Sequence, residues 1–256
     1  MNPTPVRRFL LINPNTNELT TERLRSVLLP RLPQDALLAV RTAAFGAPYI
    51  ACEASHAVAA HACLDAWAEH LAGAPEPLEG VLIGCFGDPG LFALREVSAC
   101  RVTGLAEASF IQAAARGPFA IVTGGERWPP MLMRLAQALG YDRLLRHIAT
   151  VAPSGAELQA DPELAMRCLG AACRQAASTG VQSIILGGAG LAGYAAGLQA
   201  RCPVPLIDSA SAGLDVLLGH LAPAATQSAN RFHTPWTRMP PAFDGLAGVP
   251  QALDRL

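Results

Sequence analysis

The chain has 256 residues, 51% hydrophobic and 15% charged, with a net charge of −1. That composition is globular and excludes a disordered chain; the length suits one large domain or two small ones. A near-neutral balance excludes the basic stripe of a nucleic-acid binder, and no apolar run reaches the roughly 18 residues of a membrane span.

In chain order, the first predicted element is a buried strand at 8–12. Arg7 and Arg8 precede it, but the apolar stretch from Phe9 to Ile12 is too short for a signal-peptide core, so a cytoplasmic protein is expected. The strand runs into an NPNT turn at 13–16. A helix at 20–29, a strand at 37–42 and a long helix at 53–71 follow. The strand at 80–84 leads through Cys85 and two further glycines to a helix at 91–99, a strand at 102–105 and a helix at 107–115. A second series then begins. Strands at 118–123, 147–152, 183–187 and 205–207 alternate with helices at 128–139, 162–177, 191–200 and 210–221. From Ala222 the chain is rich in proline and polar residues and is expected to be irregular, capping a cleft or an oligomer contact.

Strands alternating with helices predict an α/β fold with a mostly parallel sheet. The apolar runs at 81–83 and 184–186 suit strands buried on both faces. The two series also match each other. GVLIGCFG at 80–87 aligns with SIILGGAG at 183–190, VTGL at 102–105 with VPLI at 204–207, and FLLINPNT at 9–16 with FAIVTGGE at 119–126. This near-constant register predicts a duplication: two similar parallel-sheet domains with helices on both faces and a cleft between them. The expected halves are 1–112 plus 206–256, and 113–205. Ligands of parallel sheets bind at the C-terminal strand ends, so the candidate site is the set of turns at 13–16, 84–87, 123–125 and 187–190.

Seven cysteines without a CxxC spacing argue against a disulfide framework and a structural zinc site. No lysine is present; all 19 basic residues are arginine, which excludes a pyridoxal Schiff base and a Walker lysine. Cys85 is the strongest single signal. With Asp88 as N-cap and Pro89 as first helical residue, the thiol would sit at a helix start, where its pKa falls. The other reading is a packing residue at a tight turn. Asn13, Asn15 and Thr123 suit the carboxylate or amide of a small ligand, or are ordinary turn residues. His56, His61 and His70 share no metal-binding face on their predicted helix and read as surface residues. Asp208 and Glu107, at related strand ends, either face the cleft or cap helices.

In combination, LLINPNT at 10–16, GCFGDPGL at 84–91 with Arg95 and Glu96 after it, GLAEAS at 104–109, and LGGAGL at 186–191 followed by PLID at 205–208 resemble the aspartate/glutamate/hydantoin racemase family. The nearest likeness is to its hydantoin and allantoin racemase branch, and it extends to about residue 215. The resemblance implies two similar α/β halves, a small-molecule substrate, a homo-oligomer, and proton abstraction next to a carbonyl without cofactor or metal. It implies two cysteines on opposite faces of the substrate, one removing a proton and the other delivering one. Cys85 matches the first. The backbone at Cys85, Phe86 and Gly87 and at Gly188, Ala189 and Gly190, with Asn13, Asn15 and Thr123, matches the positions that hold the substrate and its enolate oxygen. The second cysteine is replaced: where the family has GCAGM, this chain has Gly187-Gly188-Ala189-Gly190-Leu191. Gly188 has no side chain to carry a proton. Another group (Asp208, Thr123 or a water) could serve the second face of a racemase. Alternatively the chain is a one-base decarboxylase or lyase of the same superfamily, or a catalytically silent binding protein.

Overall fold

The strands form where leucine, isoleucine and valine are covered by helices on both sides. The computed structural model describes residues 6–73, 76–151, 155–219 and 236–246. The first half comprises β1 (Arg7–Asn13), α1 (Glu18–Leu28), β2 (Ala36–Thr42), α2 (Glu53–Gly73), β3 (Gly80–Ile83), α3 (Leu91–Val97), β4 (Arg101–Gly104) and α4 (Leu105–Ala114). The second comprises β5 (Phe119–Gly124), α5 (Trp128–Ala138), β6 (Leu145–Val151), α6 (Gly155–Ala160), α7 (Pro162–Ala177), β7 (Ser183–Gly187), α8 (Tyr194–Gln199) and β8 (Leu206–Asp208). Helix α9 (Ser209–Leu217) then returns to the first half, packing on α4 and β3. A Cβ at Gly213 would lie 2.7 Å from Leu82 Cδ1, so the missing side chain lets α9 sit against β3.

Each sheet is parallel, with strand orders β2-β1-β3-β4 and β6-β5-β7-β8. The central strands β3, β5 and β7 are buried along their whole length, as their unbroken apolar runs require. The duplication extends to register: Phe9 pairs with Gly80 and Phe119 with Ser183, as the aligned motifs predict. The fourth strands differ. Val81 pairs with Val102, but its counterpart Ile184 pairs with Leu206, two residues beyond the expected Val204. A two-residue slip keeps every side chain on the same face, so alternation alone does not reveal it. Because β8 belongs to the second sheet, that half extends past the expected boundary at 205 to Asp208.

One hydrophobic cluster joins the halves, running from the first-half core to one face of the second sheet. Its seam is aromatic: Phe110 lies 5.7 Å from Phe119, 5.8 Å from Tyr141 and 6.3 Å from Phe86 between ring centroids. A second cluster fills the other face of that sheet. Of the chain beyond Ala222, residues 236–246 are described; a short helical turn at Pro241–Gly245 sets Phe243 against His61 of α2, 5.8 Å between rings. No helix among the described residues is long and apolar enough to cross a membrane.

The largest local departure from the sequence reading is at Asp88. Helix α3 starts at Leu91 after Gly90, whose φ is 82°, so Asp88 and Pro89 do not begin it. Asp88, itself at φ 48°, turns its carboxylate to the start of α4 instead, accepting from the N–H groups of Ala106 (2.9 Å) and Glu107 (2.7 Å). The N-cap position of α4 is Gly104, which offers no capping side chain. A Cβ there would lie 2.2 Å from Asp88 Cγ, so the glycine makes the space that the carboxylate fills. Similarly, the helix expected over 191–200 is broken at Gly193 (φ 88°), whose N–H donates to Asp208 Oδ2 at 2.6 Å.

Gly104→Ala is expected to expel the Asp88 carboxylate and destabilise the fold by about 1–3 kcal/mol, read as a lower urea midpoint. An unchanged midpoint would show that the cap carries no weight.

Candidate active site

Strand ends of both halves converge on a cleft. The first half supplies Asn15 from the turn after β1, Cys85 and Phe86 from the turn after β3, and Pro48, Tyr49 and Ile50 from the loop after β2. The second half supplies Thr123 and Gly124 at the end of β5, Trp128 at the start of α5, and Gly188, Ala189 and Gly190 after β7.

Cys85 is 6% exposed. Burial, then the nearby Asp88 carboxylate, then the Cys63 thiol push its pKa far above the ordinary thiol range. This overturns the expected activation by a helix end: the helix begins six residues on, and the closest charge is negative. Cys85 therefore rests as a thiol. Asp88 is buried too, and its pKa rises to about 7; burial is the main cause, opposed by the N–H bonds from Ala106 and Glu107.

The backbone of the turn is largely committed. The N–H groups of Gly87 and Asp88 both donate to Cys85 O at 3.2 Å, and Gly84 N–H donates to Ile12 O at 2.7 Å. The N–H groups of Cys85 and Phe86 have no acceptor among the described residues. Across the cleft, Gly188 N–H donates to Ser209 Oγ at 3.4 Å, while those of Ala189 and Gly190 have no acceptor there. Four N–H groups, two from each half, thus remain for a ligand oxygen.

Asn15 lines the cleft, but Asn13 does not. Asn13 is fully buried; its Nδ2 donates to Asn15 Oδ1 (3.0 Å) and Thr21 Oγ1 (2.8 Å). Asn15 Oδ1 also accepts from Asn17 N–H at 2.9 Å, which leaves Asn15 Nδ2 for the cleft. Gly87 is not a lining residue either. A Cβ on it would lie 2.5 Å from Trp128 Cζ3, so its role is to let that ring approach. Asp208 stays outside the cleft, capping α9 through Ser211 N–H (2.9 Å) and holding Gly193. Glu107 pairs with Arg95 and accepts from Thr103 Oγ1 at 2.9 Å.

At Gly188 the second half presents only backbone, at φ 148°, a conformation that side-chain-bearing residues rarely adopt. Neighbouring Gly187 is covered by Phe86: a Cβ there would lie 2.2 Å from the ring.

Sequence reasoning missed Tyr49, Trp128 and His56. Tyr49 Oη donates to Gly124 O (3.3 Å) and accepts from Trp128 Nε1 (3.4 Å), linking the halves. His56, expected at the surface, donates from Nε2 to Gly87 O at 2.9 Å and so braces the turn of Cys85. The rule that places ligands at strand ends applies to β2 as much as to the strands used, and it would have found the Tyr49 loop. Among the described residues no three His, Cys, Asp or Glu side chains are grouped as metal ligands.

A profile described as Asp/Glu/Hydantoin racemase matches residues 9–217. A hydantoin racemase of Rhizobium meliloti is 31% identical over 231 residues, covering 88% of this chain and 93% of that protein. A hydantoin racemase of Pseudomonas sp. (strain NS671) is 33% identical over 144 residues, 56% of this chain and 58% of that protein. An allantoin racemase from Klebsiella pneumoniae superposes with a TM-score of 0.82 at 26% identity, covering 95% of this chain and 100% of that one.

The thiol whose pKa is lowered is Cys52, through the Ser55 hydroxyl. At pH 7, iodoacetamide should label Cys52 first, and Ser55→Ala should slow that labelling. Peptide mapping that found another cysteine labelled first would contradict this assignment.

Proposed function

This chain belongs to the Asp/Glu/hydantoin racemase family, and from that premise we propose that it is a cofactor-independent racemase of a hydantoin-like or amino-acid-derived small molecule. Cys85 is its acid–base group on one face of the substrate. The observation that carries this reading is the position of Cys85: a buried thiol at the end of a central strand, lining a cleft between two halves.

The chemistry follows from what surrounds the thiol. A hydrogen on a carbon next to a carbonyl becomes removable when the resulting enolate oxygen is stabilised. The free N–H groups of Cys85, Phe86, Ala189 and Gly190 supply such donors, and Asn15 Nδ2 and the Thr123 hydroxyl add two more. Donors on both halves suit a substrate with oxygens at two ends, as a hydantoin ring or a carboxylate-bearing molecule has. Low exposure strengthens each of these interactions by keeping water out. A thiol with a raised pKa is a strong base once ionised.

A second reading is favoured by one observation, the absence of a side chain at Gly188 opposite the thiol. A one-base enzyme, exchanging a proton or releasing CO₂ on a single face, needs only Cys85.

The test uses purified protein, a panel of 5-substituted hydantoins, allantoin and aspartate, and optical rotation. The racemase reading predicts loss of rotation on at least one substrate, with kcat/KM roughly 100-fold or more lower in Cys85→Ala. Turnover with rotation retained would replace it with one-face chemistry. Binding without turnover on every substrate would support a silent binding protein.

A further inference from the structure

We propose that Tyr49 is the second proton carrier, doing from the neighbouring strand end what a side chain at Gly188 would do. The inference rests on the racemase reading, because inversion needs groups on opposite faces of one carbon.

Among the described residues lining the cleft, two have an ionisable side chain: Cys85 and Tyr49. Tyr49 begins in the first half but its hydroxyl is delivered to the second. It donates to Gly124 O at 3.3 Å and accepts from Trp128 Nε1 at 3.4 Å. The close approach is built in at Gly125, where a Cβ would lie 2.7 Å from Tyr49 Oη. Strand β5 pairs directly with β7, Thr123 opposite Gly187, so Gly124 and Gly188 follow at matching strand ends. The phenol thus stands beside the gap that Gly188 leaves.

The hydroxyl is positioned yet free to act. The one bond it donates, to Gly124 O at 3.3 Å, is near the long limit and does not hold its proton tightly. The other candidates are weaker. Both carboxylate oxygens of Asp208 are occupied outside the cleft. Thr123 has an aliphatic hydroxyl, a far weaker acid than a phenol.

The step balances without any co-reactant. Turnover uses the form of the site that has lost one proton to solvent, in which the Cys85–Tyr49 pair holds a single proton. When that proton is on Tyr49, the C–H bond breaks toward the Cys85 thiolate Sγ and its electron pair moves onto the carbonyl oxygen. The enolate then takes the Tyr49 proton on the opposite face, leaving a thiol and a phenolate. That pair is the form that accepts the mirror-image substrate and runs the same steps in reverse.

The test is Tyr49→Phe, which keeps the ring against Gly125 and removes only the oxygen. Each enantiomer of 5-benzylhydantoin is incubated in D₂O, and inversion and deuterium uptake are measured above the uncatalysed rate. Wild type should invert both enantiomers. In Tyr49→Phe, inversion should fall roughly 100-fold or more. The enantiomer whose α-hydrogen faces Cys85 should still exchange, and this retained exchange shows that the variant is folded. Inversion by Tyr49→Phe at the wild-type rate would overturn the proposal, as would wild-type exchange of one enantiomer with full retention. No turnover by wild type on any of the hydantoins, allantoin or aspartate would instead overturn the racemase reading on which it rests.

Discussion

A single buried carboxylate sets the shape of the reactive turn. Asp88 is 3% exposed, and an uncompensated charge in that position would cost several kcal/mol. Two N–H groups at the start of α4 and the positive end of that helix offset the cost. The chain can make this contact only because Gly104 leaves the space and because Asp88 adopts a positive φ. Helix α3 is pushed back to Leu91 as a consequence, and Cys85 loses the helix end that would have ionised it. The same carboxylate adds a negative field beside the thiol. One interaction therefore fixes the turn and adds to the burial that keeps its thiol protonated.

The two halves share topology and register, yet they meet in an unequal way. Phe86 of the first half lies over Gly187 of the second, and Trp128 of the second lies over Gly87 of the first. Each ring needs a glycine beneath it, so these glycines serve contact between halves as well as turn geometry. What the exchange does not equalise is chemistry. The first half has Cys85 at its strand end; the second has Gly188 at the matching place. The loop after β2 crosses that asymmetry, with Tyr49 bridging to Gly124 and Trp128.

Much of this was legible in the sequence because strand burial and turn glycines leave periodic marks. All eight strands, the parallel sheets, the duplication and the position of Cys85 at a strand end follow from such marks. Of the proposed site residues, Asn15, Cys85, Phe86, Thr123, Gly188, Ala189 and Gly190 lie together in the cleft, while Asn13, Gly87 and Asp208 lie outside its lining. The failures are long-range. Asp-Pro ahead of an apolar run reads as a local helix cap, and nothing local says that the carboxylate serves a helix eighteen residues on. His56 reads as a surface residue because its partner, a backbone carbonyl, has no sequence signature. Tyr49 lies in a loop without motif character, and its importance comes from contacts with the other half.

The central claim is that the turn built around Asp88 holds Cys85 as a thiol. The most direct measurement is the thiolate absorbance near 240 nm as pH is raised, taken as the difference between wild type and Cys85→Ser. The account predicts no difference at neutral pH and a thiolate signal that emerges only above the ordinary cysteine value of 9.0. A full thiolate signal at pH 7 would contradict it.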